Sequence, residues 1–278
     1  MTLHSELVAS GHGWWVRDIV CGAGPADRPF EERHDSVCLA AVLGGTFQYR
    51  SDRGAGLLVP GAVLLGNVDS PFECSHDHGT GDRCLSFHFS ADYWEGLIRS
   101  LPDVRRADLT RPRLPPEAAL LPVTAALAAA REGASDALEE GALTFAAQVI
   151  GLLTDRADAD GWTREPRQRD LARITDVVRH IEATAGRDGD ADLSLGTLAA
   201  RAHMSPYHFL RTFRRLVGTT PYRFVLRTRL ARAAQALRRG SEPIAAVALA
   251  AGFDDLSTFN RRFRREFGIT PGRWRHRL

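Results

Sequence analysis

The chain contains no lysine, so each of its 36 basic residues is an arginine. An arginine side chain presents a planar fork of donors that bonds phosphate or guanine through two hydrogen bonds at once. A genome rich in G and C explains an absence of lysine equally simply, and we prefer that explanation. The absence therefore gives no evidence of function.

Long apolar runs are absent as well. No segment approaches the roughly 20 apolar residues that span a bilayer, and Met1–Ser10 lacks the charged start and apolar core of a leader peptide. The spacings of secreted disulfide scaffolds do not occur among the four cysteines, Cys21, Cys38, Cys74 and Cys84. We therefore expect a cytoplasmic protein with reduced cysteines and no membrane partner.

The charge of the chain is distributed unevenly along its length. Residues 194–278 hold seventeen arginines and four acidic residues, a net charge of +13, whereas the whole chain carries +2. The remainder therefore carries −11. Such asymmetry indicates a basic module that binds phosphates and an acidic module with a different task. With 278 residues and 44% hydrophobic content, the chain can bury two ordinary cores.

Short β-rich runs fill residues 14–89, and Gly- and Pro-containing turns separate them. These runs are Trp14–Val20, Val37–Leu43, Thr46–Arg50, Gly56–Val59, Ala62–Gly66 and Arg83–Phe89. Closely spaced short strands are typical of a small β-barrel or a double-sheet jelly roll. We assign residues 1–110 to this module.

From Pro116 onwards the pattern changes to helix. Glu117–Arg131 is rich in alanine and leucine, and Pro122 is expected to delay or kink its start. Ala137–Thr154 carries apolar residues at helical spacing. The two helices are predicted to pack antiparallel, against the strand module or a second subunit. With the polar linker Asp155–Pro166, they make residues 111–166 a helical dimerisation segment.

The predicted all-α module, residues 167–278, contains a repeat with an offset of fifty residues. Phe213–Pro221 aligns with Phe263–Pro271 without a gap, and Phe209 and Arg211 fall on Phe259 and Arg261. Each copy predicts a short helix, a tight turn and a longer helix that carries arginines. This arrangement is a helix-turn-helix, whose second helix enters the major groove of DNA. The chain as a whole is therefore predicted to be α+β.

Capping residues predict where these helices begin and end. Ser194 and Ser205 are expected to cap the two helices of the first copy, and Gly218 to end the second. A connecting helix is predicted from Thr220-Pro221 to Gly240, with an apolar face of Tyr222, Leu226, Leu230, Ala233 and Leu237. In the second copy, Pro243 opens the short helix and Asp255 caps the longer one.

The outward faces of the two longer helices supply the candidate DNA-contacting residues. They are Tyr207, His208, Leu210, Arg211 and Arg214 in the first copy, and Leu256, Ser257, Asn260, Arg261 and Arg264 in the second. Arginine bonds guanine and asparagine bonds adenine, while apolar side chains meet the thymine methyl group. Arg215, Arg262 and Arg265 are predicted to hold phosphates. A helical bundle with a solvated arginine face is the alternative.

Residues from about 170 to 278 closely resemble the DNA-binding domain of the AraC/XylS family of bacterial transcriptional regulators. The matching residues are Leu198-Ala199, Ser205, Arg211, Phe213, Gly218, Pro221, Ile244, Val247-Ala248, Gly252-Phe253, Phe259, Phe263, Phe267-Gly268 and Thr270-Pro271. The resemblance implies seven helices, with two reading helices in adjacent major grooves. It implies base contacts by Tyr207, Leu210, Arg211, Leu256, Ser257 and Arg261. Leu210 and Leu256 depart from the polar residues often found there.

The strand-rich half is similar to the cupin-type sensor that often precedes this domain. The combined resemblance implies a homodimeric regulator of transcription with a small-molecule or metal effector. Its partners would be double-stranded promoter DNA and RNA polymerase, as expected of an activator. Trp14, Trp15, Phe47 and Tyr49 are candidates to line an effector pocket, although core packing explains them equally well.

Cysteine and histidine are concentrated between Phe72 and His88. If this segment is a hairpin that turns near Gly79–Gly81, alternation places Cys74, His76 and His78 on one side of the first strand. One face of the return strand then carries Cys84, Ser86 and His88. The candidate ligands for Zn²⁺ or another divalent metal are Cys74, His76, His78 and Cys84, with His34 as a further donor.

Other interpretations of this segment stay open. Cys74 and Cys84 could be a buried thiol pair below surface histidines, or a redox-sensing dithiol if they face each other. A metal-dependent cupin enzyme with an accessory DNA-binding module would need three ligands and an open coordination position. No paired acid or activated nucleophile is evident, and the cysteines do not match a DNA-alkylation repair motif. The leading interpretation is a DNA-binding regulator that is not an enzyme.

Overall fold

A computed structural model describes residues 2–29, 31–101, 104, 108–130, 135–154, 166–186 and 192–276. The fold is α+β, as predicted, with a strand-rich amino-terminal half and a helical carboxy-terminal half. In the parts of the chain that the structure describes, no helix combines the length and apolar character needed to cross a membrane. The predicted linker residues 155–165 and the predicted helix end at Arg131 lie outside the described residues.

In the described part of the chain, ten strands form two antiparallel sheets. The strands are Leu3–Gly11 (β1), Trp14–Cys21 (β2), Glu31–Arg33 (β3), Val37–Gly45 (β4), Phe47–Ser51 (β5), Gly54–Leu58 (β6), Val63–Gly66 (β7), Pro71–Ser75 (β8), Asp82–Phe89 (β9) and Arg113–Leu114 (β10). One sheet has the order β1-β2-β9-β4-β7-β10, and the other has the order β3-β8-β5-β6. The two sheets match the predicted double-sheet arrangement.

The six predicted strands are confirmed, with ends that shift by no more than two residues. The sequence patterns missed β1, because its side chains are almost all exposed and show no alternation. They also missed β3 and β10, which are three and two residues long. Runs this short carry no period that a sequence pattern can detect.

The predicted hairpin of β8 and β9 is wrong, because these strands belong to different sheets. β8 pairs with β3 and β5, whereas β9 pairs with β2 and β4. The connection between them crosses from one sheet to the other. The predicted alternation within β9 is confirmed: Cys84, Ser86 and His88 line the space between the sheets, and Leu85 and Phe87 point to the opposite face.

Three helices cover the outer face of the six-stranded sheet. They are Ala91–Ser100 (α1), Leu121–Ala130 (α2) and Ser135–Thr154 (α3). The Phe145 ring of α3 lies 4.9 Å from the Phe87 ring of β9, measured between centroids. Pro122 occupies the first turn of α2, where a missing N–H is harmless. The predicted packing of these helices on the strand module is therefore confirmed, whereas α1 was not predicted.

Within residues 166–186 and 192–276, seven helices form the carboxy-terminal half. They are Gln168–Thr184 (α4), Leu195–Arg201 (α5), Pro206–Val217 (α6), Pro221–Arg239 (α7), Ile244–Ala250 (α8), Leu256–Phe267 (α9) and Pro271–Arg275 (α10). The caps predicted at Ser194, Ser205, Gly218 and Asp255 are confirmed. Tyr222 is an error of prediction: it is 62% exposed, and α7 buries Phe224 and Val225 instead.

The two halves of the chain share one apolar core. The inner faces of the sheets and the buried faces of α4, α5 and α6 belong to a single cluster of buried side chains. At the same junction, Arg113 Nη2 of β10 donates to the Leu216 carbonyl oxygen of α6 at 2.9 Å. α2 also packs against α7 and α9. The carboxy-terminal helices are therefore docked on the strand module, and the domain boundaries at 110 and 166 stay predictions.

Candidate nucleic-acid interface and ligand cavity

The two helix-turn-helix units, α5–α6 and α8–α9, have the same backbone turn. His203 and Gly252 occupy the same place in the turn and adopt left-handed φ values of +51° and +78°. The residue after each closes the turn. The Met204 N–H donates to the Ala199 carbonyl at 3.0 Å, and the Phe253 N–H donates to the Ala248 carbonyl at 3.1 Å. The repeat in the sequence is therefore a repeat of structure.

In each unit, two phenylalanines of the second helix are buried in the apolar core that it shares with the first helix. The Phe209 and Phe213 rings are 5.5 Å apart with an interplanar angle of 59°, and the Phe259 and Phe263 rings are 5.5 Å apart at 55°. The other residues predicted for this core are also buried, namely Leu198, Ala199, Val247 and Ala248. Both units therefore hold the second helix on the same kind of support.

The second helices, α6 and α9, are named here the first and second reader. Each begins at a side-chain cap: the Ser205 hydroxyl accepts from the His208 N–H at 3.4 Å, and the Asp255 carboxylate accepts from the Thr258 N–H at 2.7 Å. That hydrogen bond lowers the pKa of Asp255 and keeps it ionised. Tyr207 at the start of the first reader is 75% exposed, and Leu256 at the start of the second is 41% exposed.

Eleven of the thirteen predicted DNA-contacting residues are exposed. They are Tyr207, His208, Arg211, Arg214, Arg215, Leu256, Ser257, Asn260, Arg261, Arg264 and Arg265. Leu210 and Arg262 are half-buried. Arg215 Nη2 lies 3.5 Å from the Asp170 carboxylate of α4, and Arg261 Nη2 donates to the Thr258 hydroxyl at 3.3 Å. Their roles toward DNA stay predictions.

A groove of about 740 Å³ separates the two readers. Leu210 lies in its wall on the first reader, and Thr258 and Arg262 lie in its wall on the second. Tyr222 of α7 also lines the groove, with the Arg262 guanidinium 6.0 Å from its ring centroid. Arg262 is half-buried over this ring, so its guanidinium is less accessible to a phosphate than the predicted contact requires. The two readers therefore border a common surface.

Three arginines of α7 serve the fold. Arg227 forms an ion pair with Glu266 at 3.3 Å, and Arg229 Nη1 donates to the Gly252 carbonyl at 3.0 Å. Arg232 donates to the carbonyls of Glu182 and Ala185 at the end of α4. Sequence patterns missed this division, because buried and exposed arginines look alike along the chain. The net charge of +13 is therefore not all available to a polyanion.

Residues 198–277 match a family described as a helix-turn-helix domain. The carboxy-terminal domain is an AraC-type helix-turn-helix domain. The match begins within α5 and includes both readers, α7 and α8. It agrees with the resemblance found from the sequence motifs.

Curated relatives are named as regulators of transcription. The chain is 42% identical over 82 residues to the RCS-specific HTH-type transcriptional activator RclR of Escherichia coli, covering 30% of this chain and 29% of the relative. It is 41% identical over 90 residues to the HTH-type transcriptional regulator Rv1931c of Mycobacterium tuberculosis, covering 32% and 34%. The chain thus spans about a third of the length of the curated relatives it matches.

Two solved structures are also similar. The DNA-binding domain of AdpA, solved with a target DNA, is 30% identical with a TM-score of 0.34, covering 37% of this chain and 90% of that one. Fatty-acid-bound ToxT of Vibrio cholerae is 11% identical with a TM-score of 0.39, covering 96% of both chains.

A second cavity, of about 310 Å³, is lined by strands of both sheets. All four cysteines line it, together with His34, His76 and His88. Apolar side chains such as Phe47 and Phe72 complete the wall. This composition suits a small ligand, because a mostly apolar cavity with a few polar groups is the usual form of a ligand site.

The four predicted metal ligands do not converge. Among the described residues, the donor atoms of Cys21, His76 and Asp82 lie within 4.8 Å of one another, and Cys74, His78 and Cys84 are not part of that group. His78 turns away, and its Nε2 lies 3.1 Å from Gln168 Oε1 of α4. The prediction is corrected in this respect: its assumed hairpin does not exist, and Cys21 and Asp82 meet His76 through the fold.

The thiols inside the cavity are protonated at neutral pH. Burial raises the pKa of Cys38 to about 11, and it raises the pKa values of Cys74 and Cys84 well above the ordinary range. All four cysteines are free. Buried thiols without a nearby cation are poor nucleophiles. These values give no support to a reactive dithiol of Cys74 and Cys84.

Two histidines of the cavity are neutral. His34 Nε2 is 2.9 Å from the Tyr49 hydroxyl, and its ring stacks on Phe72 at 4.1 Å. His88 lies between the hydroxyls of Ser86 and Ser36, at 2.6 Å and 3.0 Å. Burial lowers the pKa of each histidine to about 4. They therefore serve as hydrogen-bonding groups at neutral pH.

Proposed function

We propose that the protein is a sequence-specific, DNA-binding regulator of transcription. The observation that carries this proposal is the pair of matching helix-turn-helix units, whose exposed, arginine-bearing readers border one groove. Helix-turn-helix domains bind duplex DNA through such second helices. The named regulators among the relatives support the same function.

The connecting helix sets the distance between the readers. α7 has 19 residues and therefore a length of about 28 Å. One turn of B-DNA is about 34 Å long. A rigid helix of this length supports the placement of the readers in successive major grooves. In this arrangement Arg211 and Arg261 are assigned to bases, and Arg215 and Arg265 to phosphates.

The cavity between the sheets is assigned to an effector. A ligand that prefers one arrangement of the strand module and the AraC-type domain changes DNA affinity by that preference and no more. The shared core gives the two halves a physical connection. The proposal includes a homodimer, RNA polymerase as a partner and a cytoplasmic location, and it assigns no chemical reaction to the protein.

Selection from a random duplex library tests the proposal. The full chain should enrich duplexes that contain two conserved blocks with centres about one helical turn apart. Its affinity for a selected duplex should fall steeply as salt rises, because bound arginines release counterions from the phosphates. Failure to enrich any sequence, together with a salt slope near zero, would contradict the proposal.

A further inference from the structure

We propose that Cys21, His76 and Asp82 bind a divalent metal ion of the Zn²⁺ type, and that the bound ion restricts the motion of the loop that contacts the AraC-type domain. The loop is residues 76–82. The binding of the ion does not depend on the function proposed above. Its effect on DNA affinity rests on that function.

The three donors come from separate parts of the strand module. Cys21 ends β2, His76 follows β8, and Asp82 begins β9, so donors from both sheets meet. Their donor atoms lie within 4.8 Å of one another, and His76 Nε2 is 2.6 Å from Asp82 Oδ2. Zn²⁺ holds S, N and O donors at about 2.0–2.3 Å, which places neighbouring donors of a tetrahedral site roughly 3.4 Å apart. An ion therefore fits with side-chain shifts on the order of 1 Å.

The surroundings hold two of these side chains in place. His76 is 7% exposed, and its ring stacks on Phe47 with centroids 5.9 Å apart. Asp82 uses its second oxygen to accept from the Cys84 thiol at 3.5 Å. Metal sites depend on such outer partners to orient their ligands. The arrangement is therefore more than a chance meeting of polar groups.

The donor types select the class of ion. A thiolate, an imidazole and a carboxylate suit Zn²⁺ and similar transition metals, whereas Mg²⁺ and Ca²⁺ prefer oxygen alone. All three donors also line the 310 Å³ cavity. The fourth coordination position therefore faces a space that can hold water or a small ligand, as in zinc sites with three protein ligands.

The loop between His76 and Asp82 touches α4 of the AraC-type domain. His78 Nε2 lies 3.1 Å from Gln168 Oε1, and the Thr80 hydroxyl accepts from Arg179 Nη2 at 3.0 Å. The two proposed ligands stand at the ends of this loop. An ion that ties both ends to Cys21 therefore restricts the segment that contacts α4, and α4 in turn meets the first reader at Asp170 and Arg215.

Metal binding by the full chain tests the site. The metal-free protein should bind one Zn²⁺ per chain in competition with a coloured chelator. Cys21→Ser and Asp82→Asn should each weaken this binding at least ten-fold, whereas Cys38→Ser should not, because Cys38 lines the same cavity without belonging to the group. Circular dichroism checks that each variant is folded.

Cobalt provides a second measurement with the same proteins. Bound Co²⁺ should show a thiolate-to-metal absorption band that disappears in Cys21→Ser and persists in Cys38→Ser and Cys74→Ser. Absence of stoichiometric metal from the wild-type protein would overturn the site. A band that survives in Cys21→Ser but is lost in Cys84→Ser would also overturn it, since another thiol would then be the ligand.

The effect on DNA separates this inference from the function proposed above. Zn²⁺ should change the affinity of the wild-type protein for a selected duplex several-fold, and it should have no effect on Asp82→Asn. Unchanged DNA affinity with metal bound would overturn the proposal that the ion acts on DNA binding through residues 76–82. Metal binding without any specific DNA binding would instead contradict the regulator and leave the metal site supported.

Discussion

Arginine side chains have two different tasks in the AraC-type domain. Arg211 and Arg261 are exposed on equivalent positions of the two readers, fifty residues apart. Arg229 and Arg232 hold backbone carbonyls inside the fold. A guanidinium suits both tasks, because its five donors can satisfy carbonyls, phosphates or base edges. Exposure is therefore what separates the candidates for DNA contact from the supports.

Removal of one exposed guanidinium tests its assignment to a base. Arg211→Ala should weaken binding to a selected duplex by about 1–3 kcal/mol and relax the preference at one base pair. Arg261→Ala should do the same in the second block. Arg239→Ala, at the exposed end of α7, is the control and should show no change in base preference. Equal loss on all sequences would assign Arg211 and Arg261 to phosphates.

His88 makes the stability of the protein depend on pH. Burial lowers its pKa from 6.5 to about 4, so the folded state binds fewer protons than the unfolded state between these values. Stability is therefore complete above pH 6.5 and is lost as pH falls toward 4. Asp35 and Arg17 are the charged groups that face it, with opposite effects on this pKa.

Urea unfolding at pH 7 and pH 5 measures this contribution. The wild-type protein should lose about 2 kcal/mol through His88 between these values. His88→Gln keeps hydrogen-bonding capacity without titrating, so its stability should fall by that much less over the same interval. An identical pH dependence in both proteins would show that His88 does not contribute.

The ends of the two readers are equivalent, but their surroundings differ. Gly218 and Gly268 end α6 and α9 with φ values of +87° and +74°, and each N–H donates to a carbonyl four residues earlier at 2.9 Å. A Cβ atom at Gly218 would lie 2.2 Å from Pro115 Cβ, whereas one at Gly268 would meet nothing within 4 Å. Only the first reader is pressed against the segment that precedes α2.

Alanine at each glycine separates strain from steric contact. Gly268→Ala should cost about 1–2 kcal/mol, because a left-handed backbone disfavours a side chain. Gly218→Ala should cost distinctly more, since Pro115 must also move. Urea unfolding of the two variants compares them directly, with Gly268→Ala as the matched control. Equal losses would show that Pro115 does not press against the reader.

Partly buried polar contacts join the two halves of the molecule, in addition to the shared core. The Glu182 side chain of α4 accepts from the N–H of Gly45, the last residue of β4, at 3.0 Å. Burial raises the pKa of Glu182, although this hydrogen bond acts in the opposite direction. Arg232 of α7 bonds the carbonyl of the same residue. One residue therefore connects the sheet, α4 and α7.

Substitution of Glu182 tests this connection. Glu182→Ala leaves the Gly45 N–H without its partner and should cost about 1–3 kcal/mol. Glu182→Gln retains an oxygen acceptor and should cost less. Hydrogen exchange at Gly45 should rise in Glu182→Ala and stay near the wild-type rate in Glu182→Gln. Equal exchange in both variants would show that the acceptor is not required.

Features that depend on near neighbours in the chain were predicted accurately, whereas features that depend on residues distant in sequence were not. Ser194, Ser205 and Gly218 predicted helix ends to the residue, because a cap acts within one turn of chain. The predicted β8–β9 pairing is wrong, because a period of two residues identifies the face of a strand and does not identify its partner strand. The prediction that Tyr222 lies on the apolar face of α7 is wrong for a related reason. Tyr222 faces the groove between two units that are distant in the sequence.

Local chemistry along the chain was enough to specify the readers, their caps and their arginine-bearing faces, since helices form from contacts between near neighbours. The tertiary structure alone decided which arginines became internal supports and which sheet each strand joined. It thereby brought Cys21 and Asp82 to His76 and placed the AraC-type domain against the strand module. Contacts between residues far apart in sequence made those choices, and no local pattern encodes them.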